Sequence, residues 1–392
     1  MPRKPRVSVP QRRARLVRRH HLNRTGADVT STTRGLIGLH SSDAASVYLA
    51  ARARIRHFAT EQLETALYEK RVLARVLGMR RTMFVVPVDL APVVHAACTR
   101  DLAKRERNRT IQFIEDGGVA KNGARWLTKV EGQTLDVLEE LGSATAAELS
   151  RRIPALRKKI PVGVGKKWEG EIGVSTRVLF LLANHGKIVR TKPRGSWLST
   201  QYEWSPLRSW LGTDIESLDS ATAQAELVRL WLGSFGPGTP KDLKWWTGWT
   251  AANTARALTD AGAVEVDLDG NVGFASADDL DAVQAPKPGP AFLPSLDSTV
   301  MGWFERDWYL GDHRPRLFDR NGNAGPTVWW GGRVIGGWAQ RPGGEVVYRI
   351  LEDVGASASA AVETEAANLQ MWLGAVRVIP RFRTPLEREL GS

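Results

Sequence analysis

The 392-residue sequence has one cysteine, Cys98, and no apolar run near the length of a membrane-spanning helix. A single cysteine excludes an intramolecular disulfide framework and a zinc site built from cysteines. Residues 1–24 lack the apolar core of a signal peptide. These absences favour a cytoplasmic protein without a membrane segment, and the length predicts two or three domains.

Signatures of metal and cofactor binding are also missing. The segment GVGKKW, Gly163 to Trp168, lacks the Gly-x-x-x-x-Gly-Lys-Ser/Thr pattern of a phosphate-binding loop. His20, His21 and His95 do not have metal-ligand spacing, and a solvated face is the simpler interpretation of all three. We therefore predict no metal and no cofactor.

Acidic residues are scarce in two segments of a chain whose net charge is +13. Residues 1–24 contain nine Lys and Arg and no acid, and residues 151–194 contain twelve against two acids. Charge concentrated in this way indicates a polyanion partner, although a disordered tail and a solvated basic loop would give the same count. The predicted phosphate contacts are Arg12, Arg13, Arg18, Arg19, Lys158, Lys159, Lys166, Lys167, Arg177, Lys187, Arg190, Lys192 and Arg194.

An internal repeat occupies the middle of the chain. One copy runs from about Gly132 to Leu198 and the other from about Ala221 to Phe274. Each begins with an amphipathic helix (Leu135, Leu138, Leu141; Leu227, Leu230, Trp231), and a Thr with an acid three residues later, Thr145/Glu148 or Thr239/Asp242, predicts a capping box. A further helix follows, with Val178 and Leu182 or Ala255 and Leu258 on one face, and then a hairpin, IVRTKPRGSWL or AVEVDLDGNVGF.

Three helices and a hairpin are the plan of a winged helix, whose third helix can enter the major groove. The first copy carries basic residues in its helix and wing, whereas the second carries Asp260, Glu265, Asp267 and Asp269. The first copy therefore suits DNA and the second suits packing, with a protein-interaction module as the alternative for either.

Two further regions complete the predicted organisation. Phe58 to Pro87 has a helical apolar pattern (Leu63, Leu67, Val72, Val76), a turn at Gly78 and a strand from Met83 to Val86, which predicts a degenerate third copy. After about Pro286, the runs TVWWGG, RVIGGWAQ and EVVYRIL predict strands with turns at Gly331-Gly332 and Pro342-Gly343-Gly344. Residues 315–326 suggest a long polar loop, and Ala360–Gly374 a helix.

One polar cluster precedes an apolar helix near the N-terminus. In LIGLHSSDAASVYLAARAR, the run Leu36 to Leu39 meets His40-Ser41-Ser42-Asp43. Ser41, Ser42 and Asp43 are all good helix N-caps, so the cluster by itself fits a structural role.

This segment resembles the active-site segment of the winged-helix DNA glycosylase superfamily of the AlkZ/YcaQ type, which typically reads Gly-Leu-Gln-x-Gln-Asp. The segments MRRTMFVVP (Met79 to Pro87), FLPSLDSTVMGW, RDWYLG and LFDRNGNAGPTVWWGGRVIGGWAQRP (within Phe292 to Pro342) are similar to other parts of that family, so the resemblance covers nearly the whole chain. The catalytic Gln-x-Gln or Gln-x-Asp pair falls here on His40 and Ser42, a departure at both positions.

The resemblance implies an α+β protein in which tandem winged-helix modules form a C-shaped DNA-binding surface and a β-rich domain ends the chain. The expected divisions are residues 1–131 (basic segment, site segment and degenerate module), 132–212 (basic module), 213–285 (acidic module) and 286–392 (β-rich domain with a terminal helix). A hairpin turn such as Arg341 to Gly344 would enter the minor groove. We expect a monomer, associated with the nucleoid.

The activity that the resemblance implies is hydrolysis of the N-glycosidic bond of N7- or N3-alkylated purines, including bulky or crosslinked ones, in duplex DNA. An N7-alkylated purine is already cationic, so the enzyme needs only to orient water and stabilise positive charge on the sugar. The catalytic candidates are His40, as a water-positioning group or general base, Ser42, and Asp43, for which an N-cap role is favoured. A His40–Asp43 pair is one possibility, and Asp297 is a second-tier candidate with a capping role favoured.

Two other functions fit the same residues. The first is a non-catalytic DNA-binding protein, either a damage binder or a regulator, which the departures at His40 and Ser42 favour. The second is a protein-interaction scaffold, which would lack salt-sensitive affinity for DNA.

Overall fold

The computed structural model describes residues 4–163, 165 and 169–392. Lys166 and Lys167, two of the predicted phosphate contacts, lie outside the described residues. The fold mixes helices with sheets whose strands pair antiparallel. In the part of the chain that the structure describes, no helix has both the length and the apolar character needed to cross a membrane.

The helices are mostly short and lie between or beside the strands. They are α1 (Val9–Arg19), α2 (Val29–Gly35), α3 (Ala44–Arg52), α4 (Thr60–Glu64), α5 (Ala91–Val94), α6 (Arg100–Asp116), α7 (Gly123–Leu141), α8 (Ala146–Arg152), α9 (Val174–Asn184), α10 (Leu207–Leu211), α11 (Ser220–Phe235), α12 (Pro240–Thr247), α13 (Ala251–Asp260), α14 (Asp307–Leu310), α15 (Arg314–Leu317), α16 (Ala356–Leu373) and α17 (Pro385–Leu390). Single π-helical turns extend α4 through Glu69 and α5 through Thr99.

The strands form two larger sheets and two hairpins. They are β1 (Leu39–His40), β2 (Leu73–Leu77), β3 (Met83–Pro87), β4 (Ala144–Thr145), β5 (Lys159–Val162), β6 (Gly170–Gly173), β7 (Ile188–Pro193), β8 (Tyr202–Pro206), β9 (Val264–Leu268), β10 (Asn271–Ala275), β11 (Pro290–Leu293), β12 (Thr327–Trp330), β13 (Arg333–Gln340) and β14 (Val346–Ile350). One sheet has the order β1-β3-β2-β7-β8-β4 and the other β11-β12-β13-β14, while β5/β6 and β9/β10 are hairpins.

Both predicted capping boxes are confirmed. Thr145 begins α8 with its hydroxyl accepting the Glu148 amide at 3.2 Å, and Thr239 begins α12 in the same way with Asp242. Each acid accepts the backbone amide of its Thr in return, at 2.8 and 3.0 Å. Amide donors that would otherwise lack partners are thus satisfied at equivalent places in the two repeat copies.

The repeat copies have the predicted order of elements, but one predicted core residue and one predicted domain boundary are wrong. Val178, Leu182 and Leu258 are buried, but Ala255 is exposed and Ala257 faces the core in its place. The first helix of the basic copy, α7, begins at Gly123, so the expected domain boundary between residues 131 and 132 falls inside a helix. The sheet also joins β2 to β7 across that boundary, and the two regions share one sheet.

The predicted hairpin of the basic copy is wrong in its second strand. After β7, the strand that pairs back is β8, not the segment GSWL. Trp197 leaves the hairpin because its ring packs 4.8 Å from Tyr48 and 6.0 Å from Trp372. The wing is therefore longer than expected, and the Arg194 amide closes its base by donating to the Gln201 carbonyl at 2.9 Å.

The helical pattern predicted through Val76 is also wrong. The helix ends near Glu69, and residues 73–77 form β2, which pairs with β3 around the predicted turn at Gly78. Val72 is 39% exposed, so it does not extend the buried face of Leu63 and Leu67. The mostly apolar run LARVL forms a strand because β3 and β7 lie on either side of it.

The C-terminal strands and the helix near Ala360–Gly374 are confirmed as β12, β13, β14 and α16. The turn at Gly331-Gly332 joins β12 to β13, and the turn around Gly343 joins β13 to β14. Part of the expected polar loop, residues 314–317, is the short helix α15.

Helix α1 packs deep in the protein against segments far along the chain. Gln11 exchanges two hydrogen bonds with the Val283 backbone, at 2.7 and 3.0 Å. Leu16 and Val17 join a core that also contains Trp231, Trp303 and other residues of α11 and the C-terminal region. One core therefore unites the N-terminal helix, the acidic copy and the C-terminal sheet.

Candidate functional site

The polar cluster His40 to Asp43 lies at the end of the edge strand β1. Backbone pairing with β3 continues through Ser41, whose amide donates to the Met83 carbonyl at 2.7 Å. Because neighbouring residues of a strand point to opposite faces, the His40 and Ser41 side chains lie on opposite sides of the sheet. The chain then bends at Ser42 and enters α3.

His40 is enclosed on its side of the sheet. It is 4% exposed, its ring packs edge-on 5.0 Å from Phe84, and its amide donates to the Ser298 hydroxyl at 3.2 Å. Burial, with a contribution from Arg80, lowers the pKa of His40 to about 3. The imidazole is therefore neutral at pH 7 and too weak a base to titrate there, and its Nδ1 has no hydrogen-bond partner among the described residues.

Asp43 has the N-cap role favoured by the sequence. One carboxylate oxygen accepts the Ala45 amide at 3.1 Å and the other accepts the Arg381 amide at 2.9 Å. Both oxygens are thus engaged by backbone groups, and no hydrogen bond joins Asp43 to His40 in the described chain. Asp43 fixes the start of α3 and anchors the C-terminal segment beside it.

Ser41 and Ser42 open into a cleft of about 570 Å³ between the site segment and the basic copy. Its walls come from β1, the start of α3, the start of α8, the wing and the C-terminal segment. The lining residues are Ser41, Ser42, Ala44, Thr145, Ala146, Ala147, Arg151, Arg190, Arg194, Thr200, Gln201, Tyr202, Trp204 and Arg381. This lining contains four arginines and no Asp, Glu or Lys.

The four arginines differ in how far they are neutralised. Arg194 pairs with Glu148 at 2.7 Å and with Glu203 at 3.0 Å, and Arg151 lies 3.9 Å from Glu148. Arg190 and Arg381 have no carboxylate partner within the described ranges. A fifth arginine, Arg75, is 4% exposed beneath the cleft and donates to the Ser41 hydroxyl at 3.2 Å. The cleft therefore carries excess positive charge, as a site for phosphate groups requires.

Sequence reasoning missed Arg75 and Arg381. Arg75 was missed because its segment, LARVL, was interpreted as part of a helix. An arginine between apolar residues is nevertheless unusual in a buried strand. Arg381 follows a proline in a segment without regular structure. Only the folded chain brings these residues to the cleft.

The N-terminal basic segment is not a free arm. Arg12 is 9% exposed with its guanidinium 4.1 Å from the Trp308 ring, and Arg13 donates to the Trp308 carbonyl at 2.7 Å. Arg19 donates to the Gly236 carbonyl and pairs with Asp279, whereas Arg18 is exposed. Because α1 packs into the protein, Arg12 is buried and is not placed to reach a phosphate, while Arg13 and Arg19 are half-buried and engaged by backbone carbonyls.

Some of the predicted phosphate contacts in the basic copy form ion pairs within the protein, and others are exposed. Arg177 is held by Glu106 at 3.1 Å and by the Thr110 hydroxyl, so it braces α9 against α6. Lys158 and Lys187 are exposed. Ion pairs engage Lys159 with Glu171, Lys192 with Glu64, and Arg341 of the C-terminal hairpin with Glu345, all at the surface.

The remaining candidates have structural roles. Asp297 is fully buried and binds both terminal nitrogens of Arg54, at 2.6 and 2.9 Å, while it accepts the Thr299 amide. His20 is buried between the Thr299 hydroxyl and the Ser234 carbonyl rather than solvated, and His95 bonds the Asn184 carbonyl. Within residues 4–163, 165 and 169–392, no group of three His, Cys, Asp or Glu side chains is placed to bind a metal ion.

The neutral burial of His40 makes the stability of the protein depend on pH. In the unfolded chain an imidazole binds a proton below about pH 6.5, but folded His40 does so only near pH 3. The unfolded state therefore binds more protons between these values, and stability falls as the pH falls. From pH 6.5 to 5 we expect His40 to cost about 2 kcal/mol, measurable by urea unfolding. His40→Gln, which cannot titrate, should show a correspondingly smaller loss; an equal loss would contradict the assignment.

The chain was compared with protein-family models, curated proteins and solved structures. The model of the family described as "DNA glycosylase AlkZ-like" matches residues 33–372. Among solved structures, the chain is similar to the Streptomyces sahachiroi DNA glycosylase AlkZ, with a TM-score of 0.73, 21% sequence identity, and coverage of 95% of this chain and 98% of that one. At that identity the structural likeness establishes the fold. No curated protein matches the sequence.

Proposed function

This chain belongs to the AlkZ-like DNA glycosylase family, and from that premise we propose that it hydrolyses the N-glycosidic bond of N7- or N3-alkylated purines in duplex DNA. The observation that carries the proposal is the arginine-lined cleft beside Ser42, at the segment that corresponds to the family's catalytic pair. Bulky or crosslinked adducts belong to the proposal because the cleft is open at the surface and does not enclose a single base.

We propose that the two repeat copies act as winged-helix modules along a C-shaped surface. The order α7-β4-α8-β5-β6-α9-β7-β8, in which the β5/β6 hairpin is inserted between two helices, supports this for the basic module, and α11-α12-α13-β9-β10 supports it for the acidic one. The basic module places its wing and the start of α8 in the cleft wall. The acidic module shares its core with α1 and the C-terminal sheet, which supports a packing role.

The chemistry proposed for the site needs little acid–base catalysis. A cationic alkylpurine leaves without protonation, so the protein must orient water and accommodate an oxocarbenium-like sugar. Ser42 offers a hydroxyl to that water, and the neutral His40 ring, packed on Phe84 at the opposite face of the sheet, holds β1 and the Ser42 turn in place. Among the described residues no lysine lines the cleft, so none of them supplies an amine for the Schiff base of a lyase. We therefore propose that the product is an intact abasic site.

Base release from duplex DNA containing N7-methylguanine tests the proposal. We expect the protein to release the base, and strand breaks to appear only after abasic sites are cleaved with alkali. Breaks without alkali would contradict the monofunctional mechanism. No release from any N7- or N3-alkyl substrate, including a crosslinked one, would overturn the glycosylase proposal.

Substitutions at Asp43 separate capping from catalysis. Asp43→Asn should keep α3 capped, because asparagine is also a good N-cap, but its side-chain nitrogen cannot accept the Arg381 amide. Base release should therefore stay within about tenfold of wild type. Asp43→Ala should lower the free energy of unfolding by about 2 kcal/mol, because it loses both the cap and the bond to the Arg381 amide. Urea unfolding and single-turnover release measure the two effects. A much larger loss of turnover in the folded Asp43→Asn variant would show that the carboxylate charge takes part in the reaction.

A non-catalytic DNA-binding protein is the second candidate function. Two observations favour it: no Asp or Glu lines the cleft, and both Asp43 oxygens are engaged by backbone amides. This function predicts salt-sensitive duplex binding without release of any alkylated base.

A further inference from the structure

Two arginines are paired where the strands of the N-terminal region join those of the basic module in one sheet. Arg75 of β2 and Arg190 of β7 are directly paired, and theirs is the pairing that links these two strands. Directly opposed residues of antiparallel strands project from the same face of the sheet. Like charges in that arrangement destabilise a sheet. Arg75 and Arg381 both contribute to lowering the pKa of Arg190, after the larger effect of burial, which places the three charges in one electrostatic neighbourhood.

The protein surrounds this cluster with aromatic rings and hydroxyls. Arg75 donates to the Tyr68 hydroxyl at 2.5 Å and lies 5.1 Å from the Tyr202 ring centroid. Arg190 lies 5.4 Å from Tyr202 and 5.0 Å from Trp204, and its Nε has no hydrogen-bond partner. In the described chain none of the three guanidinium groups has a carboxylate partner, whereas Arg194 on the same wing has two. The cluster therefore carries positive charge that no carboxylate of the described residues neutralises.

We propose that Arg190 and Arg381, with the charge of buried Arg75 behind them, bind one phosphodiester group of the DNA strand that enters the cleft beside Ser42. The inference rests on the proposed function and identifies which residues select the position of the DNA backbone. It also resolves an electrostatic difficulty. Three uncompensated positive charges would oppose the positive charge that develops on the sugar, and a bound phosphate removes that opposition.

Arg190→Met tests the proposal because its expected effects on stability and binding have opposite signs. Replacing a half-buried charge that has no carboxylate partner among the described residues with an apolar side chain relieves repulsion, so we expect the melting temperature to rise by about 2 °C. Affinity for a duplex with a tetrahydrofuran abasic analogue should fall about tenfold. Exposed Arg229, which pairs with Glu226 on α11, supplies the control, and Arg229→Met should change neither quantity appreciably.

A neutral methylphosphonate at each backbone position of that duplex locates the contact. We expect one position at which the substitution weakens wild-type binding about tenfold, and at which it has no effect on Arg190→Met or Arg381→Ala. The slope of log affinity against log salt should fall by about one in either variant. A lower melting temperature for Arg190→Met, or a methylphosphonate penalty that persists in both variants, would overturn the phosphate site.

Inorganic phosphate separates this inference from the glycosylase proposal. Phosphate should raise the melting temperature of the wild type more than that of Arg190→Met at equal ionic strength. If phosphate stabilises the wild type more than Arg190→Met but the protein binds no duplex, the anion site is real and its phosphate comes from another molecule. The glycosylase proposal then fails. If duplex binds but neither phosphate nor methylphosphonate distinguishes the variants, the phosphate site fails and the glycosylase proposal stands.

Discussion

Asp297→Ala is expected to lower the free energy of unfolding by about 3–5 kcal/mol, the typical cost of leaving one partner of a buried ion pair alone. Arg54 and Asp297 are both fully buried, and the pair joins the segment after α3 to the C-terminal region. Without the carboxylate, the Arg54 guanidinium keeps only the Ala50 carbonyl and the Thr299 hydroxyl. Urea unfolding measures the loss.

The double variant Arg54→Met/Asp297→Leu is the matched control for this result. Because it removes both charges, it should recover much of the stability lost in Asp297→Ala. The single variant should also weaken the buried hydrogen bond between His20 and Thr299, since Asp297 holds the Thr299 amide. A loss below 1 kcal/mol in Asp297→Ala would mean that the pair is not the anchor that its geometry indicates.

His40→Ala is expected to reduce base release by about 100-fold, the scale of loss when a reacting group is displaced by a change outside the reacting centre. The His40 ring packs against Phe84 on the face of the sheet opposite Ser41 and does not line the cleft, so the loss follows from movement of β1 and of the Ser42 turn that it carries. His40→Gln should stay within about tenfold of wild type, because glutamine also forms neutral hydrogen bonds and is the residue typical of the family at this position. Single-turnover release on N7-methylguanine duplex measures both rates.

The pH profile of the same reaction is an independent check on His40. With its pKa near 3, His40 stays neutral from pH 6 to 8, so it should contribute no inflection to the rate in that range. Equal inactivity of His40→Gln and His40→Ala would show that the imidazole ring itself is required. Full activity of His40→Ala would show that the position of the Ser42 turn does not depend on His40. Binding of the abasic duplex should be unchanged in both variants.

Local signals in the sequence predicted local structure well. Thr145 and Thr239 could be identified as caps because a capping box involves residues only three positions apart. Strands β12, β13 and β14 of the C-terminal sheet were predictable for the same reason, since glycine-marked turns separate β-branched and aromatic runs. The segment Leu73 to Leu77 was not, because its strand exists only in register with β3 and β7.

The candidate site depended on pairings that no local signal carries. Arg75 and Arg190 are far apart in the sequence and meet through one cross-strand pairing. The charge count correctly marked residues 151–194 as basic, but it could not tell that Arg177 is neutralised by Glu106 while Arg190 has no carboxylate. It also could not foresee that α1 would bury Arg12, because the ring that covers it, Trp308, comes much later in the chain.

The packing of α1 also affects the order in which the chain can fold during synthesis. Its partners Gly236, Val283 and Trp308 are translated more than 200 residues after it. At typical elongation rates of about 5–20 residues per second, roughly 15–60 s separate the emergence of Arg19 from that of Trp308. Until Trp308 emerges, the docking surface of the basic helix is incomplete, while the six-stranded sheet, complete by Pro206, can already form. Helix α1 is therefore among the last elements to be fixed.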